Sequence, residues 1–194
     1  VVARGRRKLE DALATFADED DGGLSPRVRL LVEDLRAEWR GLDERIAAFD
    51  AEFVRMARED EAAHRLSTIP GIGVINATAL VAAIGDARSF ARGRDLAAWL
   101  GLTPRQATTG GKPRLLGISK RGNRYLRANL IHGARAVLPH LLAQDTPLGQ
   151  WVRGLSGRAH KNVVVVALAA KLARIVWAVL RKRCRFDPAI AAAR

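Results

Sequence analysis

The segment Thr108-Thr109-Gly110-Gly111-Lys112-Pro113-Arg114-Leu115-Leu116-Gly117-Ile118-Ser119-Lys120-Arg121-Gly122 gathers hydroxyls, glycines and cations in fifteen residues. No acidic residue lies between Asp95 and Asp145, whereas Arg105, Lys112, Arg114, Lys120, Arg121, Arg124, Arg127 and Arg135 do. A glycine-broken backbone exposes N–H groups, and together with unpaired cations these suit a polyanion. A hydroxyl set among arginines can also attack a phosphodiester, the cations stabilising the charge that builds on phosphorus. Residue types alone favour Thr108, Thr109 and Ser119 as phosphate-binding hydroxyls over a nucleophile. The plainer alternative is a solvated basic loop.

Other chemistries have little to build on. After Ile69 the carboxylates are Asp86, Asp95, Asp145 and Asp187, too scattered for a two-metal nuclease centre. His64, His132, His140 and His160 lack metal-ligand spacing, and His132 on a leucine-rich helix reads as a packing or surface residue. No metal or cofactor is expected in this chain. The single cysteine, Cys184, excludes an internal disulfide framework and points to a reducing cytoplasm.

Charge is unevenly spread. The first 68 residues carry 12 lysines and arginines against 16 aspartates and glutamates, and the rest carry 21 against 4. The net +13 therefore hides a mildly acidic first third and a basic remainder of net +17. Such a field draws phosphate backbones and is salt-sensitive. Nucleic acid fits better than an anionic membrane, because no basic amphipathic helix carries bulky apolar anchors. The apolar run Val163–Leu180 has Lys171 and Arg174 in its middle, so it reads as a core helix and not a membrane span.

The elements that must hold these residues are mainly helical. Arg6–Phe16 has Leu9, Leu13 and Phe16 on one stripe, and Ser25-Pro26 is a helix start signal. From there Val28, Val32, Leu35, Trp39, Leu42, Ile46, Phe49, Phe53 and Met56 recur at alternating spacings of four and three. That is a heptad seam, read as a coiled coil pairing with Arg6–Phe16, with a partner chain, or with both. Residues 1–66 form this segment and residues 67–194 a compact helical domain. Helical patterns cover Glu59–Leu66 and Asn76–Ile84, and between them Ile69-Pro70-Gly71-Ile72-Gly73 is either an ordinary turn or the hairpin of a helix-hairpin-helix module. In the second case Gly71 and Gly73 let backbone approach a phosphate. Arg94–Leu100 is a short helix with Leu96, Trp99 and Leu100 in the core. Asn123 caps a helix to about Leu138, with Leu126, Leu130 and Val137 on one face and Arg124, Arg127 and Arg135 on another. Pro139 and Pro147 mark a break, Trp151–Leu155 is a short helix, and Val163–Leu180 closes the core.

Several of these motifs in this order resemble one family. Ile69-Pro70-Gly71-Ile72-Gly73, Ala97-Ala98-Trp99-Leu100-Gly101-Leu102-Thr103-Pro104-Arg105-Gln106, Gly110-Gly111-Lys112, Ile118-Ser119-Lys120-Arg121-Gly122-Asn123, Tyr125-Leu126-Arg127 and the tail Lys161-Asn162-Val163 through Ala169-Ala170-Lys171-Leu172-Ala173 resemble the C-terminal domain of the DEDD insertion-sequence transposases, relatives of the Piv-type invertases that are guided by a bridge RNA. The resemblance implies DNA and guide RNA as partners. It also implies an upstream RuvC-like domain whose four acidic residues bind a divalent metal, and a serine nucleophile just before a glycine in the basic loop. That serine maps onto Thr109, where this chain departs from the family, with Thr108 beside it. The sequence opens Val-Val-Ala-Arg and has Met56 as its only methionine, and it reads as a piece of a longer protein. Taken alone, such a piece is expected to bind nucleic acid and not to cleave it. Other readings are a non-catalytic binding module, or a decayed remnant, and a coiled-coil assembly domain.

Overall fold

The computed structural model describes residues 5–18, 25–112 and 114–188, and these fold mainly as α-helix. The elements are α1 (Arg6–Asp18), α2 (Pro26–Glu59), α3 (Glu61–Leu66), α4 (Val74–Ile84), α5 (Gly93–Trp99), β1 (Pro104–Gln106), β2 (Leu115–Ile118), α6 (Arg124–Ala143), α7 (Pro147–Ser156) and α8 (Lys161–Lys182), with one 3-10 turn at Ala87–Ser89. The chain divides into two compact units, one up to Ala51 and one from Glu52 on. The division comes earlier than the expected boundary near Leu66. Ala57, Ala63 and Leu66 are buried and belong with the second unit's core.

In the first unit α2 begins where Ser25-Pro26 signals it, with the Val28 N–H donating to the Ser25 hydroxyl at 3.4 Å. Polar contacts tie α1 to α2. Arg6 pairs with Asp43 and lies over the Trp39 ring at 5.3 Å, and Arg36 Nη1 donates to the Leu13 carbonyl. The expected seam is largely uncovered: Val28, Leu35, Leu42, Ile46, Phe49 and Met56 are all exposed along α2. The side chain of Phe16 lies outside the described residues.

The second unit is built around α8. Helices α3, α5, α6 and α7 all pack on it, and α4 packs on α3 and α6. Leu168, Leu172 and Val176 are fully buried, each contributing about 1.5–3 kcal/mol by leaving water. This is the core helix that Val163–Leu180 predicts. By length and composition alone α8 would also cross a membrane, but here it sits in a packed core.

Two sequence expectations fail in instructive ways. Pro139 does not end its helix, because α6 runs through it to Ala143. Leu138 and Leu141 on either side are buried, and their packing outweighs the hydrogen bond that proline cannot donate. Trp99 is not a core residue; it is 39% exposed and makes an edge contact with Phe90.

Candidate nucleic-acid interface

The glycine-broken basic segment is an antiparallel hairpin, not an irregular loop. Strands β1 and β2 pair with Pro104 opposite Ile118 and Gln106 opposite Leu115, a one-residue register shift between them. Beyond the strands the Ala107 N–H donates to the Arg114 carbonyl at 2.9 Å, and Thr109 opposes Lys112 as an isolated bridge. The Lys112 N–H closes the tip onto the Thr109 carbonyl at 3.1 Å. Gly110 and Gly111 both have positive φ, +57° and +75°, which is the conformation of a tight two-residue hairpin turn. Gly-Gly after Thr108-Thr109 is the sequence signal for that turn.

The ribbon stands away from the helical core. Thr108, Thr109, Arg105, Lys112 and Arg114 are all exposed, and so are Leu115 and Leu116. Among the described residues no ion pair involves Arg105, Lys112, Arg114, Lys120, Arg121 or Arg124. A two-stranded ribbon of this kind fits the major groove of duplex DNA, and its uncompensated cations suit phosphates.

The base of the ribbon is fastened by close backbone contacts. The Ser119 N–H donates to Thr103 at 2.8 Å, and the Lys120 N–H to Gly101 at 3.1 Å. A Cβ on Gly101 would stand 1.9 Å from the Arg121 carbonyl oxygen, and one on Gly122 1.8 Å from that of Trp99. Both glycines also have positive φ, so neither position admits a side chain. Lys120 takes the same left-handed conformation at +56°.

Arg127 is corrected by this geometry. It does not join Arg124 and Arg135 on a cationic face. It is buried, and its Nη1 donates to the carbonyls of Leu100 at 3.1 Å and Gly122 at 3.5 Å. It thereby holds together the two segments that frame the ribbon. The cause is its place on the α6 wheel beside Leu126 and Leu130, which points it inward. Arg124 is exposed at the helix start, next to the Asn123 cap that accepts from the Leu126 N–H. Arg135 is exposed and bonds Asn162.

Gly71 likewise has a packing cause. Its φ is +87°, and a Cβ there would meet the Gly133 carbonyl oxygen at 2.9 Å. The turn thus nests against α6, while Gly73 is exposed at the start of α4 with open space around it. The three hydroxyls are also separated. Thr108 and Thr109 are at the tip and half-buried Ser119 at the base. Five residues separate Thr103, which pairs with Ser119 at the base, from Thr109 at the tip, so the hydroxyls mark opposite ends of the ribbon. Tyr125, 56% exposed and next to Arg124 in the chain, is a functional candidate that charge reasoning overlooks, since an exposed ring can stack on a base.

No group of three or more histidines, cysteines or carboxylates close enough to hold a metal occurs among the described residues. Between Pro104 and Ile118 the sequence has no histidine or carboxylate, so the ribbon itself offers no general base for a hydroxyl.

Residues 63–146, which include the whole ribbon and its fastening, match the model of the Transposase IS116/IS110/IS902 family. The chain carries the C-terminal transposase domain of that family. Three relatives extend the likeness beyond the matched span. A probable family 20 transposase of Pseudomonas aeruginosa is 43% identical over 185 residues, 95% of this chain and 55% of its own length. The transposase for insertion sequence element IS1111A of Coxiella burnetii is 39% identical over 94% of this chain and 50% of its own. That for element IS1328 of Yersinia enterocolitica is 44% identical over 86% and 49%. The chain thus spans about half the length of the transposases it matches. In this transposase domain, Arg127 and the paired glycines form the frame at the base of the exposed ribbon.

Proposed function

We propose that this chain is the C-terminal part of a DNA transposase that grips DNA, and a guide RNA, through the basic ribbon and presents the Thr109 hydroxyl to the strand that is cut. The carrying observation is the exposed, carboxylate-free ribbon with Thr109 at its tip, directly opposite Lys112. Phosphate contacts from Arg105, Lys112, Arg114, Lys120, Arg121 and Arg124 position the backbone, and Thr109 attacks phosphorus as the strand oxygen leaves. The proton of Thr109 needs an acceptor from outside this domain, and a divalent metal belongs with the acidic upstream domain that the family resemblance implies. The exposed α2 seam serves to join protomers.

Restoring the upstream domain and comparing the parent with Thr109→Ser and Thr109→Ala tests the assignment. On a donor–target DNA pair, serine should raise covalent protein–DNA adduct and strand exchange, because it lacks the methyl that crowds attack and restricts χ1. Alanine should abolish both. Full activity of the alanine variant would remove Thr109 from the chemistry. The 194-residue chain alone should bind DNA without cleaving it. The competing reading is a binding module without catalysis, favoured by threonine in place of serine at Thr109; it predicts equal inactivity of all three proteins.

A further inference from the structure

A second cation cluster lies at the opposite end of α5 from the ribbon. Arg92 and Arg94, the last half of α8 and the tail through Asp187 line an open pocket of about 480 Å³. Its walls are of two kinds. Ile175, Trp177, Val179 and Phe186 supply apolar surface, while Arg94, Lys171, Arg174, Lys182 and Arg185 supply charge.

The pocket is held open by fixed contacts. Trp177 Nε1 donates to the Phe90 carbonyl at 2.9 Å, which sets the indole plane. The Phe186 N–H donates to the Thr68 hydroxyl at 3.0 Å, which pins the tail across one side. Gly93 lets α5 approach α8 so closely that a Cβ there would stand 3.2 Å from Arg174 Cα, and this sets Arg94 beside Arg174. Lys171 is buried, with the Trp151 ring at 5.7 Å, and none of the ion pairs among the described residues involves it. Burial first, and then the Arg174 charge, lowers the Lys171 pKa; burial and then Arg94 lower that of Arg174. The cations repel one another across a partly dry space, and a bound anion relieves that repulsion. The lone lining carboxylate, Asp187, has an interaction of its own.

We propose that this pocket takes an unstacked nucleotide of a single strand, its phosphate between Arg94 and Arg174 and its base against Trp177 and Phe186. The size suits one nucleotide, and paired cationic and aromatic walls are how single strands are gripped without sequence readout. The site is distinct from the ribbon, so the whole domain would hold a strand at two places.

Cys184 lines the pocket, is exposed and is the only cysteine, which makes it a reporter. In the full 194-residue chain, alkylation of Cys184 by a maleimide should be slowed by 5′-AMP and by short single-stranded DNA or RNA oligonucleotides. Adenosine and inorganic phosphate, each offering half the chemistry, should protect at least about tenfold less well by midpoint concentration. Arg94→Gln, an exposed change that spares the fold, should raise the AMP midpoint about tenfold, the loss expected for one charge-assisted contact. Protection by both DNA and RNA oligonucleotides identifies a backbone site; protection by RNA alone assigns the pocket to an RNA strand. No protection by any nucleotide, equal protection by phosphate or adenosine, or protection only by an acidic peptide would overturn the proposal. The triple variant R105Q/K112Q/R114Q separates the two sites, because it should weaken duplex binding while AMP protects Cys184 at an unchanged midpoint.

Discussion

At the scale of single residues, the domain separates exposed cations from one that holds the fold. Arg124 and Arg127 are three residues apart on α6, yet one is exposed and the other buried with its guanidinium on two backbone carbonyls. Removing Arg127 leaves the Leu100 and Gly122 carbonyls without that donor and opens a space at the ribbon's base. Arg127→Ala should therefore cost about 2–3 kcal/mol in denaturant unfolding, in line with loss of charged hydrogen bonds in a buried site. Arg124→Ala should leave stability within about 0.5 kcal/mol and weaken DNA binding instead. A stable Arg127→Ala protein with reduced DNA affinity would reverse the assignment. Gly101 and Gly122 act with Arg127, since each admits a carbonyl where any side chain would collide.

At the scale of elements, α2 is the unusual one. Its 34 residues carry a heptad seam of which Leu35, Ile46 and Phe49 are more than half exposed. Polar contacts from Arg6 and Arg36 attach α1 to α2 but leave those residues open. If the seam joins protomers, as proposed here, Leu42→Lys with Phe49→Lys should lower the molar mass seen in light scattering and leave the helical domain's melting transition in place. An unchanged mass, or a monomeric parent, would confine the seam to its own chain. The ribbon is the other element left largely in solvent, with Ile118 at its base packed on the core. Its tip is shaped by the Gly110–Gly111 turn, and its base is fastened by the backbone hydrogen bonds of Ser119 and Lys120.

At the scale of the whole molecule, charge is segregated along the chain. The region from Ile69 on carries net +17, and the ribbon's cations have no carboxylate partners among the described residues. Binding to duplex DNA should fall about 10³-fold or more between about 50 and 200 mM salt if six phosphates are neutralised, as a salt titration of fluorescence anisotropy would read. The triple variant R105Q/K112Q/R114Q should flatten the slope of log K against log salt by about three. Salt-independent binding would point away from phosphate contacts altogether.

The sequence by itself determined the helices, because apolar periodicity and caps are local: Asn123, Ser25-Pro26 and the heptad seam each act within a few residues. It also determined the cationic character of residues 96–144, which depends on composition alone. The motif order sufficed to point to the family. What only the tertiary structure decided are the matters that depend on distant segments meeting. Whether Arg127 faces solvent depends on the Leu100 carbonyl, 27 positions away. Why Gly71 must be glycine depends on Gly133 in α6, and why Gly122 must be glycine depends on Trp99. Whether Pro139 breaks a helix depends on the core that Leu138 and Leu141 enter. The pocket at Arg94 and Arg174 is assembled from α5, α8 and the tail. Local preference fixes which elements form; close approach between elements, where ångströms separate contact from collision, fixes what each side chain is free to do.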